Sequence, residues 1–176
     1  MDGNRVIGNK GQIPWHISDD LKWFKKLTMG IPWERAILTN DWNVAPMRTL
    51  GGTLVMGRKT FKKVGPLPGR FTYCVTRDPE KLALPKTETC KYVTFNDVIL
   101  LSQVGFVWGN TWVVGGAEIY KLFMPQCTDV FVTHVLEDYE GDTFMPDFED
   151  QFSRQEILKE TKSYWIVRYS RGLPLI

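Results

Sequence analysis

Two short apolar runs, each closed by glycine and followed directly by a helical pattern, constrain this chain more than any other feature. Thr53–Met56 runs into Gly57 and then Arg58–Val64, and Trp112–Val114 runs into Gly115-Gly116 and then Ala117–Phe123. Consecutive apolar residues in so short a segment leave no polar face for water, which predicts a strand covered on both sides. A strand, a tight glycine turn and a helix form the unit from which parallel sheets are built. Phe71–Thr76 and Tyr92–Phe95 read as further strands, and Asn96–Val104 as a further helix. Toward the C-terminus the helices stop. Val130–Leu136, Glu156–Lys159 and Tyr164–Tyr169 follow, the last two joined by the polar Glu160–Ser163 link as an antiparallel pair. The predicted fold is α/β: a single domain over 1–176, with a mostly parallel twisted sheet, an antiparallel C-terminal edge and flanking helices.

The chain's 176 residues suit one domain, and at this size a fold buries about 70% of the surface its unfolded chain exposes. Disulfides or a structural metal are unnecessary. Hydrophobic residues make up 43% and charged residues 24%, which argues against disorder. With 22 basic and 20 acidic residues the net charge is +2, so no bulk field favours nucleic acid and any anion site is local. No apolar run approaches the roughly 18 residues of a membrane span, and the opening MDGNRVIGNKGQIPW lacks a secretory pattern. Cys74, Cys90 and Cys127, with His16 and His134, have no zinc spacing. A reduced cytoplasm is the expected compartment, and nothing in the composition favours a metal, nucleic acid or membrane as partner.

Met1–Ile17 reads as loop, broken by Gly3, Gly8, Gly11 and Pro14. Ser18 is placed to cap a helix with Asp19 and Asp20 in its first turn, Leu21, Phe24 and Leu27 along one face, and Gly30 at its end. Ile31–Leu50, with Pro32, Pro46, Trp33 and Trp42, has no sustained period and receives no assignment.

Asp20 has two readings. It is a solvated acid at a helix start, or a cleft carboxylate beside Trp15, Leu21 and Phe24 that accepts paired hydrogen bonds from an amidine-like edge. Val113-Val114-Gly115-Gly116-Ala117 before a helix is either a plain turn or a set of backbone N–H groups facing phosphate. Arg58, Lys59 and Arg77 are solvated charges taken singly. Gathered at the ends of parallel strands, where open α/β sheets bind ligands, they form an anion site.

The order and spacing of these pieces carry more. V-I-G at 6–8, I-P-W at 13–15, Asp20, Phe24 and Thr28 are followed by G-R-K-T at 57–60 and P-L-P-G-R at 66–70. V-T-R at 75–77, V-G-G-A at 114–117, T-H at 133–134 and G-D-T at 141–143 complete the set. Together they resemble the dihydrofolate reductase family over nearly the whole chain outside Ile31–Leu50. The resemblance implies NADPH-dependent hydride transfer to C6 of 7,8-dihydrofolate, with protonation at N5. It implies catalytic roles for Asp20, Trp15 and Thr133, Thr133 being the partner of Asp20. Substrate contacts are implied at Asp20, Leu21, Phe24, Leu67 and Arg70, the arginine gripping the carboxylate of the glutamate tail. Cofactor contacts are implied at Ile7, Gly57, Arg58, Lys59, Thr60, Thr76, Arg77, Val114, Gly115, Gly116, Ala117, Glu118, Ile119 and Tyr120. The Gly115-Gly116 bond is expected to be cis, and the Gly3–Ile13 loop is expected to close over the nicotinamide.

Two departures qualify the resemblance. The family begins with a strand ahead of the V-I-G loop, which this sequence lacks, and Ile31–Leu50 is an insert. Lower stability and weaker substrate binding are therefore expected of this chain. Two alternative readings remain: a related pyrimidine reductase of riboflavin synthesis, and a non-catalytic protein that binds NADPH or folate.

Overall fold

The computed structural model describes residues 1–30, 51–80, 88–103 and 111–172; the insert reading for 31–50 lies outside them. In chain order the elements are β1 (Val6–Gly8), α1 (Ser18–Thr28), β2 (Gly51–Gly57), α2 (Arg58–Val64), β3 (Arg70–Val75), β4 (Cys90–Val93) and α3 (Phe95–Gln103). They continue as β5 (Thr111–Val113), α4 (Ala117–Phe123), a 3₁₀ turn at Met124–Gln126, β6 (Asp129–Val135), β7 (Thr143–Phe144), β8 (Arg154–Glu160) and β9 (Tyr164–Ser170). The α/β class expected from the sequence holds. Contacts divide the chain into two compact units, Met1–Asp20 with Tyr120–Ile176, and Leu21–Ile119.

The unit Leu21–Ile119 is built on a parallel sheet in the order β4-β3-β2-β5. Leu54 pairs with Thr72 and Trp112, and Met56 pairs with Cys74, so these residues share one face. Phe61 of α2 packs with Leu54, Met56, Cys74 and Cys90 as the core of that face. Leu54, Val55 and Met56 are all buried, as a doubly covered strand requires. Trp23, Leu27 and Thr28 are the buried residues of α1 in this unit. The expected stripe is therefore corrected at Leu21, which is 49% exposed. Two residues turn a helix by about 200°, so a face centred on Trp23 points Leu21 away. Gly30 ends the helix as expected, with a positive φ of 81° and its N–H on the Leu27 carbonyl.

One boundary is also corrected. The strand expected to reach Phe95 stops at Val93, because Thr94 and Asp97 cap α3 reciprocally. The Thr94 N–H donates to Asp97 Oδ2 at 2.7 Å, and the Asp97 N–H donates to Thr94 Oγ1 at 3.2 Å.

The other unit carries an antiparallel sheet, β6-β9-β8, and the short antiparallel pair β1-β7. Val130, Val132, Val167 and Tyr169 pack with Met124, Met145, Phe148 and Phe152. Met1 lies along β6: its amino group donates to the Thr133 carbonyl at 2.5 Å, and its carbonyl accepts the Val135 N–H at 2.8 Å. The loop expectation for Met1–Ile17 is corrected at Val6–Gly8, which pairs with Thr143–Phe144. Asp2 and Arg5 organise this segment. The buried Asp2 carboxylate accepts the N–H groups of Asn4, Val6 and Tyr139. Arg5 donates to the carbonyls of Met145 and Pro146 and pairs with Glu149 at 2.7 Å.

Candidate active site

The unit Met1–Asp20 with Tyr120–Ile176 holds the candidate acid. The first turn of α1 presents Asp20, and Thr133 on β6 donates its hydroxyl to Asp20 Oδ1 at 2.6 Å. This joins residues 113 positions apart and realises the pairing that the resemblance implied. Oδ2 of Asp20 accepts no hydrogen bond from the described residues. A carboxylate fixed through one oxygen keeps the other for an N–H edge. Tyr120 is partly buried against the core that also receives Ile7. Burial, reinforced by the Asp20 charge, pushes its hydroxyl up to about 12, so it stays protonated. Trp15 packs on Tyr139, ring centroids 5.3 Å apart.

In the unit Leu21–Ile119, Arg70 begins β3 after the Gly65–Gly69 turn and is 6% exposed. Its Nη1 donates to Thr28 Oγ1 at 2.8 Å, and its Nε donates to the Pro68 carbonyl at 3.3 Å. No carboxylate pairs with it among the described residues. Burial lowers its pKa from the ordinary arginine value, yet a guanidinium remains charged. A buried cation held by neutral oxygens can pair with an anion, and a forked guanidinium suits a carboxylate. Thr28 is the partner that the sequence reading left without a role. Its hydroxyl also donates to the Phe24 carbonyl at 2.7 Å, which fixes its lone pair toward Arg70. Leu67, in the same turn, is partly buried against the core of the parallel sheet.

The ends of β2, β3 and β5 assemble the third group in this unit. The Gly57 N–H donates to the Gly115 carbonyl at 2.8 Å, and the Gly115-Gly116 peptide is cis, as expected. A Cβ on Gly57 would stand 2.9 Å from Ile119 Cγ1, so a larger residue there would press on the Ile119 side chain of α4. Gly116 faces Thr60 Oγ1, and the Val114 N–H binds the Val55 carbonyl. The start of α2 at Gly57 has no side-chain cap and no acid in its first turn, which leaves N–H groups for an acceptor. Arg58, Lys59 and Arg77 make no ion pair with the described residues. Thr76 accepts the Asp78 N–H and closes the turn that carries Arg77. Ala117 and Glu118 open α4. Glycine turns, uncapped N–H groups and unpaired cations together fit a dinucleotide with several phosphates.

The Gly3–Ile13 loop is pinned at its tip. Asn9 and Gln12 exchange backbone hydrogen bonds around Lys10 and Gly11, both at positive φ, as a two-residue hairpin turn. The Lys10 N–H donates to Asp142 Oδ2 at 2.9 Å, and the Asp142 N–H donates to the Gly8 carbonyl at 3.0 Å. A Cβ on Gly141 would overlap Val6 and stand 2.7 Å from the Gly8 carbonyl oxygen. Gly141→Val is therefore expected to detach β1 from β7, at about 1–3 kcal/mol of stability, and to slow turnover. Thermal melting and steady-state kinetics check this; unchanged turnover would free the loop from any role. His16 and His134 belong to no metal cluster, and none exists among the described residues.

The family model described as dihydrofolate reductase matches residues 1–38 and 31–167. The dihydrofolate reductase of Bacillus subtilis is 30% identical over 152 residues, covering 85% of this chain and 74% of its own length. That of Haloferax volcanii is 32% identical over 179 residues, covering 97% and 80%. A solved dihydrofolate reductase from Enterococcus faecalis, complexed with NADP(H) and RAB-propyl, superposes with a TM-score of 0.72 at 27% identity. It covers 98% of this chain and 92% of that one.

Proposed function

The chain belongs to the dihydrofolate reductase family, and from that premise we infer that it reduces 7,8-dihydrofolate to 5,6,7,8-tetrahydrofolate with NADPH. Bound NADPH supplies the hydride, delivered to C6. Asp20 carries the remaining chemistry: its Oδ2, which accepts no hydrogen bond from the described residues, accepts the N–H edge of the pterin, and its charge promotes protonation at N5 through water. Thr133 orients that carboxylate, Trp15 packs at the substrate and helps to order water beside the acid, and Leu21 and Phe24 contact the substrate. Leu67 contacts the aminobenzoyl group, and Arg70 binds the carboxylate of the glutamate tail. Arg58, Lys59, Thr60, Thr76 and Arg77 bind phosphates, with Gly57 and Val114–Ile119 along the dinucleotide and Ile7 and Tyr120 at the nicotinamide. The observation that carries the substrate assignment is Arg70, a buried cation without a carboxylate partner among the described residues.

The test is NADPH oxidation by the purified protein, with the product identified. Oxidation that depends on dihydrofolate and yields tetrahydrofolate is expected; oxidation with a ribosylated pyrimidine instead would replace this reading. Cofactor choice follows from Arg58, Lys59 and Arg77, since NADH lacks the 2′-phosphate. Charge-assisted hydrogen bonds contribute about 1.5–3 kcal/mol each, so Arg77→Ala is expected to weaken NADPH binding about tenfold or more and NADH binding little. Equal titrations of the two cofactors would refute the assignment. We place the enzyme in the cytoplasm as a monomer, in keeping with free thiols at Cys74, Cys90 and Cys127. No helix among the described residues is long and apolar enough to cross a membrane.

A further inference from the structure

Among the described residues, the first turn of α1 reaches the antiparallel sheet through Asp19 as well as through the Asp20–Thr133 bond. Asp19, one residue earlier, accepts the Tyr164 hydroxyl through Oδ2 at 3.2 Å. Lys159 reaches the same oxygen at 3.4 Å, and its ammonium stands 5.6 Å from the centroid of the Tyr164 ring. Strand register relates the two attachments. Thr133 pairs with Ile166, and Val135 pairs with Tyr164. The anchors therefore lie on one face of the sheet, two residues or roughly 7 Å apart along the strands.

Geometry explains why two anchors do more than one. Successive helical residues diverge by about 100°, so Asp19 and Asp20 reach the sheet in different directions. With Thr133 alone, the turn can pivot about a single hydrogen bond. A second bond from the neighbouring residue removes that freedom. The Tyr164 ring is buried, 6% exposed, so its hydroxyl is a fixed post. Asp19 and Lys159 have side chains 51% and 39% exposed, and an ion pair so open to water is screened and contributes little. The Asp19 carboxylate matters here for where it holds the backbone.

We propose that the Tyr164–Asp19 hydrogen bond is a positioning device for the catalytic acid. It sets the rotation of the first turn of α1, so that Asp20 meets the pterin edge while it accepts the Thr133 hydroxyl. This rests on the reading of Asp20 as the catalytic acid. Tyr164 and Asp19 are positioning residues: they act through Asp20.

The experiment measures kcat, both KM values and the thermal midpoint for Tyr164→Phe, Asp19→Ala, Asp19→Asn and the double variant Tyr164→Phe/Asp19→Ala. Tyr164→Phe is also made on an Asp20→Asn background. Tyr164→Phe and Asp19→Ala are expected to lower kcat about tenfold, below the about 10²-fold that a 1 Å misplacement costs. The KM for NADPH should not change. Asp19→Asn keeps an acceptor oxygen and should retain most of the turnover. The double variant should be no slower than either single one, and Tyr164→Phe should add nothing to Asp20→Asn. An unchanged kcat in Tyr164→Phe, a loss that multiplies with Asp20→Asn, or a loss that merely tracks the thermal midpoint would overturn the proposal. If Asp20→Asn itself turns over at the wild-type rate, the reading of Asp20 is what fails.

Discussion

Asp20→Asn is expected to lower turnover by about 10²- to 10⁴-fold, the range that positioned acid–base groups contribute, while leaving NADPH affinity intact. The substitution preserves shape: the asparagine oxygen still accepts the Thr133 hydroxyl, as Asp20 Oδ1 does at 2.6 Å. What changes is the outward atom. A carboxylate oxygen accepts the two N–H groups of an amidine edge, whereas an amide NH₂ opposes them donor to donor and carries no charge to favour protonation at N5. Because the loss concerns only the ligand that is reduced, it should appear in kcat and in kcat/KM for dihydrofolate. Cofactor titration and steady-state kinetics on one preparation separate the two effects. Wild-type turnover near neutral pH would reduce Asp20 to a helix-end acid.

Arg70→Leu is the second large effect. The guanidinium is 6% exposed and held by Thr28 and the Pro68 carbonyl, with no carboxylate partner among the described residues. Two charge-assisted bonds to a carboxylate, at about 1.5–3 kcal/mol each, imply that the KM for dihydrofolate rises at least 10²-fold. A pterin without the glutamate tail should be turned over nearly as before. Stability should hold, because replacing a buried charge by an apolar group of similar volume is often neutral or stabilising. Thr28 keeps its bond to the Phe24 carbonyl in the variant. Equal losses on both substrates, or a fall of many degrees in thermal midpoint, would make Arg70 a structural residue.

What could be read in the sequence follows from how local the determining physics is. The strand–glycine–helix units at Thr53–Val64 and Trp112–Phe123 were legible, because burial on both faces and the glycine turns are written within a dozen residues. The β8–β9 pair was legible from its two short segments and the polar link between them, although it is longer than expected, at Arg154–Glu160 and Tyr164–Ser170. The start of α3 is also written locally, since Thr94 and Asp97 have capping-box spacing. The pairing of β1 with β7 was not legible. Strands of three and two residues show no period, and they are joined by long-range bonds from Asp142 and Arg5. Thr133 entered the site only through family resemblance, and Tyr164 not at all. Each meets its acid across more than a hundred residues, where no spacing rule operates.

The most direct measurement follows the hydride itself. Dihydrofolate is incubated with NADPH carrying deuterium at the transferring position of nicotinamide C4, using the wild-type chain and Asp20→Asn, and the product is read by NMR. Deuterium at C6 of tetrahydrofolate, with its rate of appearance cut by about 10²-fold or more in Asp20→Asn, is the expected result. No label at C6, or label arriving equally fast in both proteins, would contradict the assignment of this chain as a reductase that works through Asp20.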